Sequence, residues 1–337
     1  MDNWVLNGPK MLEKQKQHEQ KIEEGQVKVR VTRVMLTSFD TLCYTGEMRL
    51  TYPKTLGRVA IGIVTEMGGD CYGIKKGTKV YLNAVRACGK CFNCKTGKRD
   101  ECTSTKVVCR DFDGFCRDFV VCSYTDVSPI PDDMDEMLAM CIEDVALAEN
   151  IYDKLDLAAG NRIAIMGGGY FGTILTQMAV YHKLVPIVVD NNAKNVERLK
   201  RSGAYFTFPS DDSLIENVVN ATSGNLCNAA IYTTCSKLSP SVTMDLLAPN
   251  SVMVIGGTCK TSVAMDTAPI FEKNLKVIGA SDGYGYIETA INMLVHGAID
   301  LSNFEKEELT KFDLNKILTT RSETFSHTGK MTVLKLM

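Results

Sequence analysis

The sequence contains no uninterrupted apolar run of the roughly 18 residues that a membrane-spanning helix needs. Its first ten residues, MDNWVLNGPK, lack the charged-then-apolar pattern of a secretory signal. Charge of one sign is not in excess either, because 38 lysines and arginines oppose 40 aspartates and glutamates and the net charge is −2. Such a balance gives no electrostatic footprint for nucleic acid. We therefore expect neither a membrane nor a nucleic acid as a partner.

What the composition does allow is a large enzyme. The chain has 337 residues, 45% of them hydrophobic, so it can bury a sizeable core. Chains longer than about 250–300 residues usually split into two domains. We find no short internal repeat and no low-complexity segment, so we expect two compact domains.

The segment CGKCFNCKTGKRDEC indicates a metal site. It places Cys88, Cys91, Cys94 and Cys102 in a C-x2-C-x2-C-x7-C array, a spacing that closes a tetrahedral cage of thiolates around one metal ion. Four sulfur ligands leave no open coordination position, so a metal bound here supports folding and performs no chemistry. We predict one structural zinc per chain.

The array has two other possible interpretations. Free buried thiols are disfavoured because the intervening residues are polar, unlike those of a core. An iron–sulfur cluster is the better rival, but its cysteine run continues after three residues and precedes a proline, whereas here the gap is seven and Thr103 follows. Thirteen cysteines minus these four leave nine, an odd number scattered among apolar runs. That usage predicts reduced thiols and a cytoplasmic location.

The sequence pattern changes near residue 150. Before it, short apolar runs such as VKVRVTRVML and VAIGIVTEMG are broken by glycines and predict a strand-rich antiparallel domain. After it, strands alternate with helices, beginning with NRIAIMGGG, FGTILTQMAVYH and VPIVVD. That alternation predicts a parallel sheet covered on both faces, an α/β architecture.

The first unit of the predicted parallel sheet carries a cofactor signal. Gly167, Gly169 and Gly172 form G-x-G-x-x-G between an apolar strand and an amphipathic helix, and Asp190 ends the next strand. The glycines permit a tight turn, close approach of a pyrophosphate and close helix–strand packing. Asp190 would bind the adenosine ribose and repel a 2′-phosphate, which predicts NAD and not NADP. A glycine-rich turn without a ligand is the alternative.

Further cofactor contacts are predicted from position in the fold alone. Gly256 and Gly257 end the apolar strand VMVIGG and are candidates for backbone contact on the nicotinamide side. Thr234 is a candidate for the rim of the cofactor site. These assignments rest on weaker grounds than the glycine fingerprint.

The cysteine array and the glycine fingerprint, in this order, resemble the medium-chain dehydrogenase/reductase superfamily, specifically its zinc-containing alcohol and polyol dehydrogenase branch. DGFCRDFVV and GKMTVLKLM resemble two strands of the same family. The resemblance implies a GroES-like catalytic domain over residues 1–150 with a zinc lobe at 88–102, a Rossmann nucleotide domain over 151–287, and a C-terminal segment, 288–337, that completes the catalytic domain. It also implies a homodimer or homotetramer.

The chain departs from this family at the catalytic zinc. Thr37 occupies the position of the family's cysteine ligand, Arg58 that of its histidine, and Val59 that of a frequent glutamate, while Leu42 replaces a proton-relay histidine. Only Glu143 matches the third ligand position. A hydroxyl is a poor zinc ligand and a protonated guanidinium has no lone pair to give. We predict that the second zinc is absent.

Arg58 and Glu143 admit two interpretations, which are compatible. The pair could fill the lost metal site and keep the cleft folded, because a buried charge without a partner costs several kcal/mol. Alternatively, the guanidinium could replace the metal and stabilise the alkoxide that develops during hydride transfer.

The sequence therefore predicts an NAD(H)-dependent oxidoreductase that acts on a small-molecule ketone or secondary alcohol without a catalytic zinc, with Arg58, Glu143 and Thr37 as candidate catalytic residues. One alternative is a quinone- or enone-type reductase of activated C=C bonds. Another, of a different class, is an NAD-binding protein that has lost catalysis. The residue pattern does not name the substrate.

Overall fold

The structure is a computed structural model that describes residues 2–16, 20–48, 50–99, 101–233, 239–257, 264–302, 304–310, 314–324 and 330–336. In these ranges no helix is both long enough and apolar enough to span a membrane. Thr234 and the termini of the chain lie outside the described residues.

The first half of the chain is rich in short strands, as its glycine-punctuated apolar runs predict. The strands are β1 (Asp2–Leu6), β2 (Leu12–Lys16), β3 (Gln26–Leu36), β4 (Lys54–Thr55), β5 (Val59–Gly68), β6 (Lys79–Leu82), β7 (Val85–Arg86), β8 (Lys106–Val107), β9 (Phe119–Ser123) and β10 (Val127–Pro129). The helices are α1 (Ser38–Thr45), α2 (Phe92–Lys95), α3 (Glu136–Ala139) and α4 (Ile142–Leu155).

The second half alternates strands and helices and returns to the first sheet at its end. The strands are β11 (Arg162–Met166), β12 (Val185–Val189), β13 (Phe206–Phe208), β14 (Cys227–Tyr232), β15 (Leu247–Ile255), β16 (Lys276–Gly279), β17 (Glu305–Thr310) and β18 (Lys330–Lys335). The helices are α5 (Tyr170–Tyr181), α6 (Ala193–Arg201), α7 (Leu214–Ala221), α8 (Pro240–Asp245), α9 (Ala268–Glu272), α10 (Ile287–Val295) and α11 (Leu314–Thr324).

Two large sheets organise the molecule. The first has the order β10-β6-β5-β3-β18-β17, with β9 also paired to β3, and only its β17–β18 pair is parallel. The second is fully parallel and has the order β13-β12-β11-β14-β15-β16. That order corresponds to 3-2-1-4-5-6 along the chain, the doubly wound arrangement of dinucleotide-binding folds. The predicted α/β class is confirmed.

Helix α4 connects the two sheets. Its apolar face is buried, and Ile151 and Leu155 belong to the core cluster that also contains Ile163 and Ile165 of β11 and Ile61 of β5. The expected domain boundary at residue 150 falls inside this helix. A shared apolar core stabilises the cleft between the sheets, because opening it would expose these side chains.

The C-terminal segment contributes to the first sheet. In the antiparallel β18–β3 ladder Thr332 lies opposite Leu36, and in the β3–β5 ladder Val59 lies opposite Met35. The residues that flank the carboxyl end of β3 therefore come from two parts of the chain, β5 and β18, that lie far apart in sequence. This end of the sheet opens towards the nucleotide domain's glycine loop and carries the candidate site.

Candidate active site and metal centre

The four cysteines predicted to hold zinc are gathered in one lobe, which we call the cysteine lobe (residues 88–102). Their Sγ atoms all lie within 4.8 Å of one another. The Cys88–Cys94 and Cys91–Cys102 sulfur pairs are each 3.9 Å apart. A tetrahedron with zinc–sulfur bonds of about 2.3 Å has edges of about 3.8 Å. The thiols present therefore fit one tetrahedral zinc ion.

Backbone amides of the same lobe point at these sulfurs. The amide of Cys91 donates to Cys88 Sγ at 3.3 Å, that of Cys94 to Cys91 Sγ at 3.5 Å, and that of Ser104 to Cys102 Sγ at 3.4 Å. The amide of Cys94 lowers the pKa of the Cys91 thiol to about 6. Such donors favour thiolates, the form that binds metal.

A large cavity lies between the two sheets, with a volume of about 1480 Å³. Its wall includes Thr37, Arg58 and Glu143 from the first sheet's side. The same cavity is lined by Gly167, Gly169 and Gly172 of the glycine loop. It is also lined by Asp190, Gly256 and Gly257. The candidate catalytic and cofactor-binding residues described by the structure therefore share one cleft.

Arg58, Glu143 and Tyr81 form a buried group that we call the cleft cluster. Arg58 Nη2 donates to Glu143 Oε1 at 2.7 Å, and the side chains are only 15% and 9% exposed. The hydroxyl of Tyr81, a fully buried residue of β6, donates to Glu143 Oε2. Both carboxylate oxygens are therefore satisfied, which removes the cost of leaving this charge unpaired.

The guanidinium of Arg58 is held as a cation. Burial acts to lower its pKa, but the opposing charge and hydrogen bond of Glu143 outweigh burial and leave the pKa raised. The plane of the group also lies over the ring of Phe39, with Cζ 5.3 Å from the ring centroid. These contacts fix Arg58 in one orientation at the cavity wall.

Thr37 also lines the cavity, but its polar atoms have other partners. Its hydroxyl donates to Asp40 Oδ2 at 2.8 Å, and its amide donates to the same oxygen at 2.8 Å. Asp40 Oδ1 accepts from the amide of Gly57 at 2.9 Å. This capping arrangement begins helix α1. Thr37 thus anchors the turn beside Arg58, and its hydroxyl is engaged with Asp40.

Asp144 is a second carboxyl group in the cleft. It follows Glu143 in α4 and lines the cavity, and its buried Oδ2 has no hydrogen-bond partner among the described residues. Burial, with the neighbouring charge of Glu143, raises the pKa of Asp144 to about 7. A bond from Tyr170 and the charge of Arg58 oppose that rise. The group can therefore change charge near neutral pH.

The glycine loop between β11 and α5 is built for close approach. Gly167 has φ +104°, a conformation that disfavours any side chain. A Cβ at Gly172 would lie 1.8 Å from the Gly167 carbonyl oxygen, so helix and loop touch there. Helix α5 begins just after Gly169, which directs its N-terminal amides into the cavity. The loop fits a pyrophosphate.

Asp190 follows β12 at the edge of the loop. Its Oδ2 accepts from the amide of Gly168 at 2.7 Å and from Asn195 Nδ2 at 3.1 Å, and its Oδ1 accepts from the amide of Asn192 at 2.6 Å. The neighbouring Asn191 is bonded to Ser210 through its side chain. The carboxylate is therefore held in one orientation at the cavity wall.

Several site residues escaped the sequence analysis. Tyr81 lies in the ordinary apolar strand KVYLNAV, and Phe39 and Asp144 belong to no motif. Arg198 of α6 is buried under the glycine loop, where Nη2 donates to the Gly168 carbonyl at 2.9 Å. The one available signal was the acidic pair Glu143–Asp144 at the start of an otherwise apolar helix.

Comparison with known families explains this combination of lobe and cleft. Residues 23–132 match the family model of the alcohol dehydrogenase GroES-like domain, and residues 171–296 match that of zinc-binding dehydrogenases. The chain therefore belongs to the zinc-containing alcohol dehydrogenase branch of the medium-chain dehydrogenase/reductase superfamily, and it is an oxidoreductase of that family. The predicted GroES-like and Rossmann classes are confirmed.

Individual relatives are distant but nearly full-length. An uncharacterized zinc-type alcohol dehydrogenase-like protein of Haemophilus influenzae is 25% identical over 283 residues, 83% of each chain. A sorbitol dehydrogenase of Halalkalibacterium halodurans is 22% identical over 298 residues, 86% of this chain and 87% of that one. The short chain alcohol dehydrogenase rspB of E. coli, solved with NADH, shares the fold with a TM-score of 0.87 at 20% identity, covering 100% of this chain and 99% of that one.

Proposed function

We propose that this protein is an NAD(H)-dependent oxidoreductase that transfers hydride between the nicotinamide and a ketone or secondary alcohol without a catalytic zinc. The observation that carries the proposal is the cleft cluster: a buried, oriented cation stands where the resemblance implies a metal ligand, in the cavity that the glycine loop lines. The sorbitol dehydrogenase among the relatives supports a polyol- or alcohol-type substrate.

Within this proposal the nicotinamide, when bound, supplies the hydride chemistry. Arg58 donates hydrogen bonds to the substrate oxygen and stabilises the negative charge that develops on it. Glu143, itself held by the Tyr81 hydroxyl, keeps the guanidinium in place, so no reorganisation is needed during the reaction. Thr37 fixes the adjoining turn through Asp40. The alternative role of Arg58, filling a lost metal site, uses the same contacts.

The test is a screen of NADH oxidation and NAD reduction over polyols, simple ketones, hydroxysteroids and enones, using protein whose zinc content is known. We expect turnover of ketones or secondary alcohols at one zinc equivalent per chain. Reduction of enones alone would favour the C=C reductase. NADH binding without turnover of any class would favour a cofactor-binding protein that has lost catalysis.

Asp190 supports NAD as the preferred cofactor, because a fixed carboxylate binds ribose hydroxyls and repels a 2′-phosphate. Solved structures with this fold hold NADP as well as NADH, so the fold does not decide between them. We expect NADH to bind at least about 10-fold more tightly than NADPH, a difference of about 1.4 kcal/mol. Fluorescence titration of both cofactors measures this. Equal affinity, or tighter NADPH binding, would contradict the assignment.

The remaining parts of the proposal rest on cysteine spacing and usage, on position in the fold and, for the domain bounds and the oligomer, on family likeness. The cysteine lobe holds one structural zinc, and Gly256 contacts the nicotinamide side, where an added Cβ would lie 2.6 Å from Ile151 Cδ1. Thr234, the other predicted rim residue, lies outside the described residues. The proposal also includes domain bounds near residues 150 and 287. It further includes a homodimer or homotetramer and a cytoplasmic location. Size-exclusion chromatography with light scattering tests the oligomer.

A further inference from the structure

A second arginine lines the cavity from the C-terminal segment. Arg321 of α11 is partly buried and donates from Nη1 to the Thr332 hydroxyl at 2.9 Å. Among the residues that the structure describes, no carboxylate lies within 4 Å of its guanidinium. An arginine has five N–H donors, so most of its donors remain available. Lys316 of the same helix also lines the cavity, exposed and without an ion-pair partner in the described ranges.

The nearby acidic groups are engaged elsewhere. Glu307 accepts from Lys330 Nζ at 2.9 Å and from the Thr332 hydroxyl at 3.4 Å. Asp40 uses both oxygens on Thr37 and Gly57. Burial lowers the pKa of Arg321, and the charges of Asp40 and Glu307 oppose that shift without contacting the group. The guanidinium remains a cation at any working pH.

The strand register places Thr332, the hydrogen-bond partner of Arg321, on the other side of β3 from Arg58. Thr332, to which Arg321 is bonded, lies opposite Leu36, and Val59, which follows Arg58, lies opposite Met35. Thr332 of β18 and Val59 of β5 therefore flank the carboxyl end of β3, one on each side. Neighbouring strands are about 4.8 Å apart, so the backbones of Val59 and Thr332 are separated by roughly 10 Å. Arg58 and Arg321, which have different partners, thus reach the cleft from opposite sides of one strand end.

We propose that the cleft takes substrates that carry a carboxylate or phosphate group, and that Arg321, assisted by Lys316, binds this anion while the reacting carbon lies beside Arg58. The charge of Arg58 is neutralised by Glu143, whereas Arg321 presents a planar fork that has no carboxylate partner among the described residues. Such a fork recognises carboxylate and phosphate bidentately. The assignment of the reacting carbon rests on the proposed function. The anion site itself does not.

The experiment compares matched ligands that differ only in the anion. Dihydroxyacetone phosphate is paired with dihydroxyacetone, and levulinate with methyl propyl ketone. Calorimetry measures binding of each to the protein–NADH complex, and NADH oxidation is followed separately. We expect one anionic member to bind about 10- to 100-fold more tightly than its neutral twin. The pair that shows the preference identifies the anion as phosphate or carboxylate.

Arg321→Ala should reduce that preference to less than about 3-fold, and Arg321→Lys should retain part of it because the charge stays while the fork is lost. The matched control is Arg201→Ala, which removes an exposed arginine paired with Glu197 on α6, outside the cavity lining. It should leave the preference unchanged. NADH affinity and melting temperature are measured for every variant.

The outcomes separate this proposal from the proposed function. Equal binding of both members of each pair to the wild-type protein overturns the anion site even if neutral ketones are reduced. Anion-selective binding that Arg321→Ala abolishes supports the site even if no probe is turned over. A loss of melting temperature without any change in ligand preference would assign Arg321 to neutralising Asp40 and would also overturn the proposal. If the Arg321 variants fail to fold, the comparison of anionic and neutral ligands on the wild-type protein still tests the proposal.

Discussion

The cysteine lobe and the cleft cluster occupy the two places where the resemblance implies metal sites, and they are built in opposite ways. The lobe takes four thiols from one segment, residues 88–102, whose sulfurs lie within 4.8 Å of one another. The cleft cluster takes Arg58, Tyr81 and Glu143 from three separate elements and contains no thiol or imidazole. One site has the chemistry to bind a metal cation. The other already contains a cation of its own.

This difference bears on what each site contributes. Four thiolates stabilise the fold only when a metal joins them, so the lobe's stability depends on an ion. Arg58 and Glu143 neutralise each other without an ion, so the cleft stays folded and keeps a hydrogen-bond donor at its wall. If the lobe binds the proposed zinc, metal supports structure there, whereas in the cleft an arginine–glutamate pair occupies the corresponding place.

Replacing Cys91 by serine should have the largest effect. A hydroxyl does not replace the thiolate, and binding energy at a structural zinc site is folding energy, of order 10 kcal/mol for small zinc modules. We expect the zinc content to fall from about one equivalent per chain to near none and the melting temperature to drop sharply. Elemental analysis and thermal unfolding measure both. Cys71→Ala removes a buried cysteine outside the lobe and should leave the zinc content unchanged.

Three results would contradict this account of the lobe and the cleft. Two zinc equivalents in the wild-type protein would show that the cleft binds metal despite Arg58 and Thr37. Iron with visible charge-transfer absorbance would make the lobe a cluster site. A Cys91→Ser protein that kept its zinc and melting temperature would show that the remaining three sulfurs suffice.

The two regions also differ in how far the sequence predicted them. The cysteine lobe and the glycine loop are local: their ligands or turns lie within a few residues, so spacing alone indicates the chemistry. The parallel sheet followed in the same way from alternating strand and helix patterns. These parts of the molecule were predictable because each depends on neighbours along the chain.

The cleft cluster was only partly predictable because it depends on tertiary contacts. Family likeness indicated Arg58 and Glu143, but Tyr81 reaches Glu143 from a strand whose sequence carries no signal. Arg321 enters the cleft because β18 pairs with β3, a contact between residues about 300 positions apart along the chain. Thr37 was predicted at the site, but its hydroxyl is bonded to Asp40 through a capping box.

Replacing Arg58 by alanine should have the next largest effect, and on rate more than on folding. A preorganised donor aimed at developing negative charge is worth about 100–1000-fold in turnover. We expect Arg58→Ala to lose that factor while NADH affinity stays within about 2-fold. Arg58→Lys should recover part of the rate, because lysine keeps the charge but loses the planar fork. Steady-state kinetics with a substrate found in the screen measure this.

The chain offers a matched control for burial of an ion pair. Arg86 and Asp126 are 3.4 Å apart and each 15% exposed, close to the exposure of Arg58 and Glu143, but neither lines the cavity. Arg86→Ala should lower the melting temperature and leave turnover unchanged. If Arg58→Ala behaves in the same way, with near wild-type turnover, the cleft cluster only fills a lost metal site.

The smallest expected effect concerns Asp144, the cleft carboxyl whose Oδ2 has no hydrogen-bond partner in the described part of the chain. Its pKa of about 7 lies above the value near 4 of an unfolded aspartate, so the folded protein holds this proton more tightly. Stability contributed by the group is therefore complete below pH 4 and falls as pH rises towards 7, where the buried carboxylate ionises beside Glu143. Asparagine at this position cannot ionise. Asp144→Asn should match the wild-type melting temperature at pH 4 and exceed it by roughly 4–8 °C at pH 9, because a pKa raised from about 4 to about 7 corresponds to about 4 kcal/mol. Thermal unfolding of both proteins across this range tests it, and a difference that stays constant with pH would show that Asp144 does not titrate near neutrality.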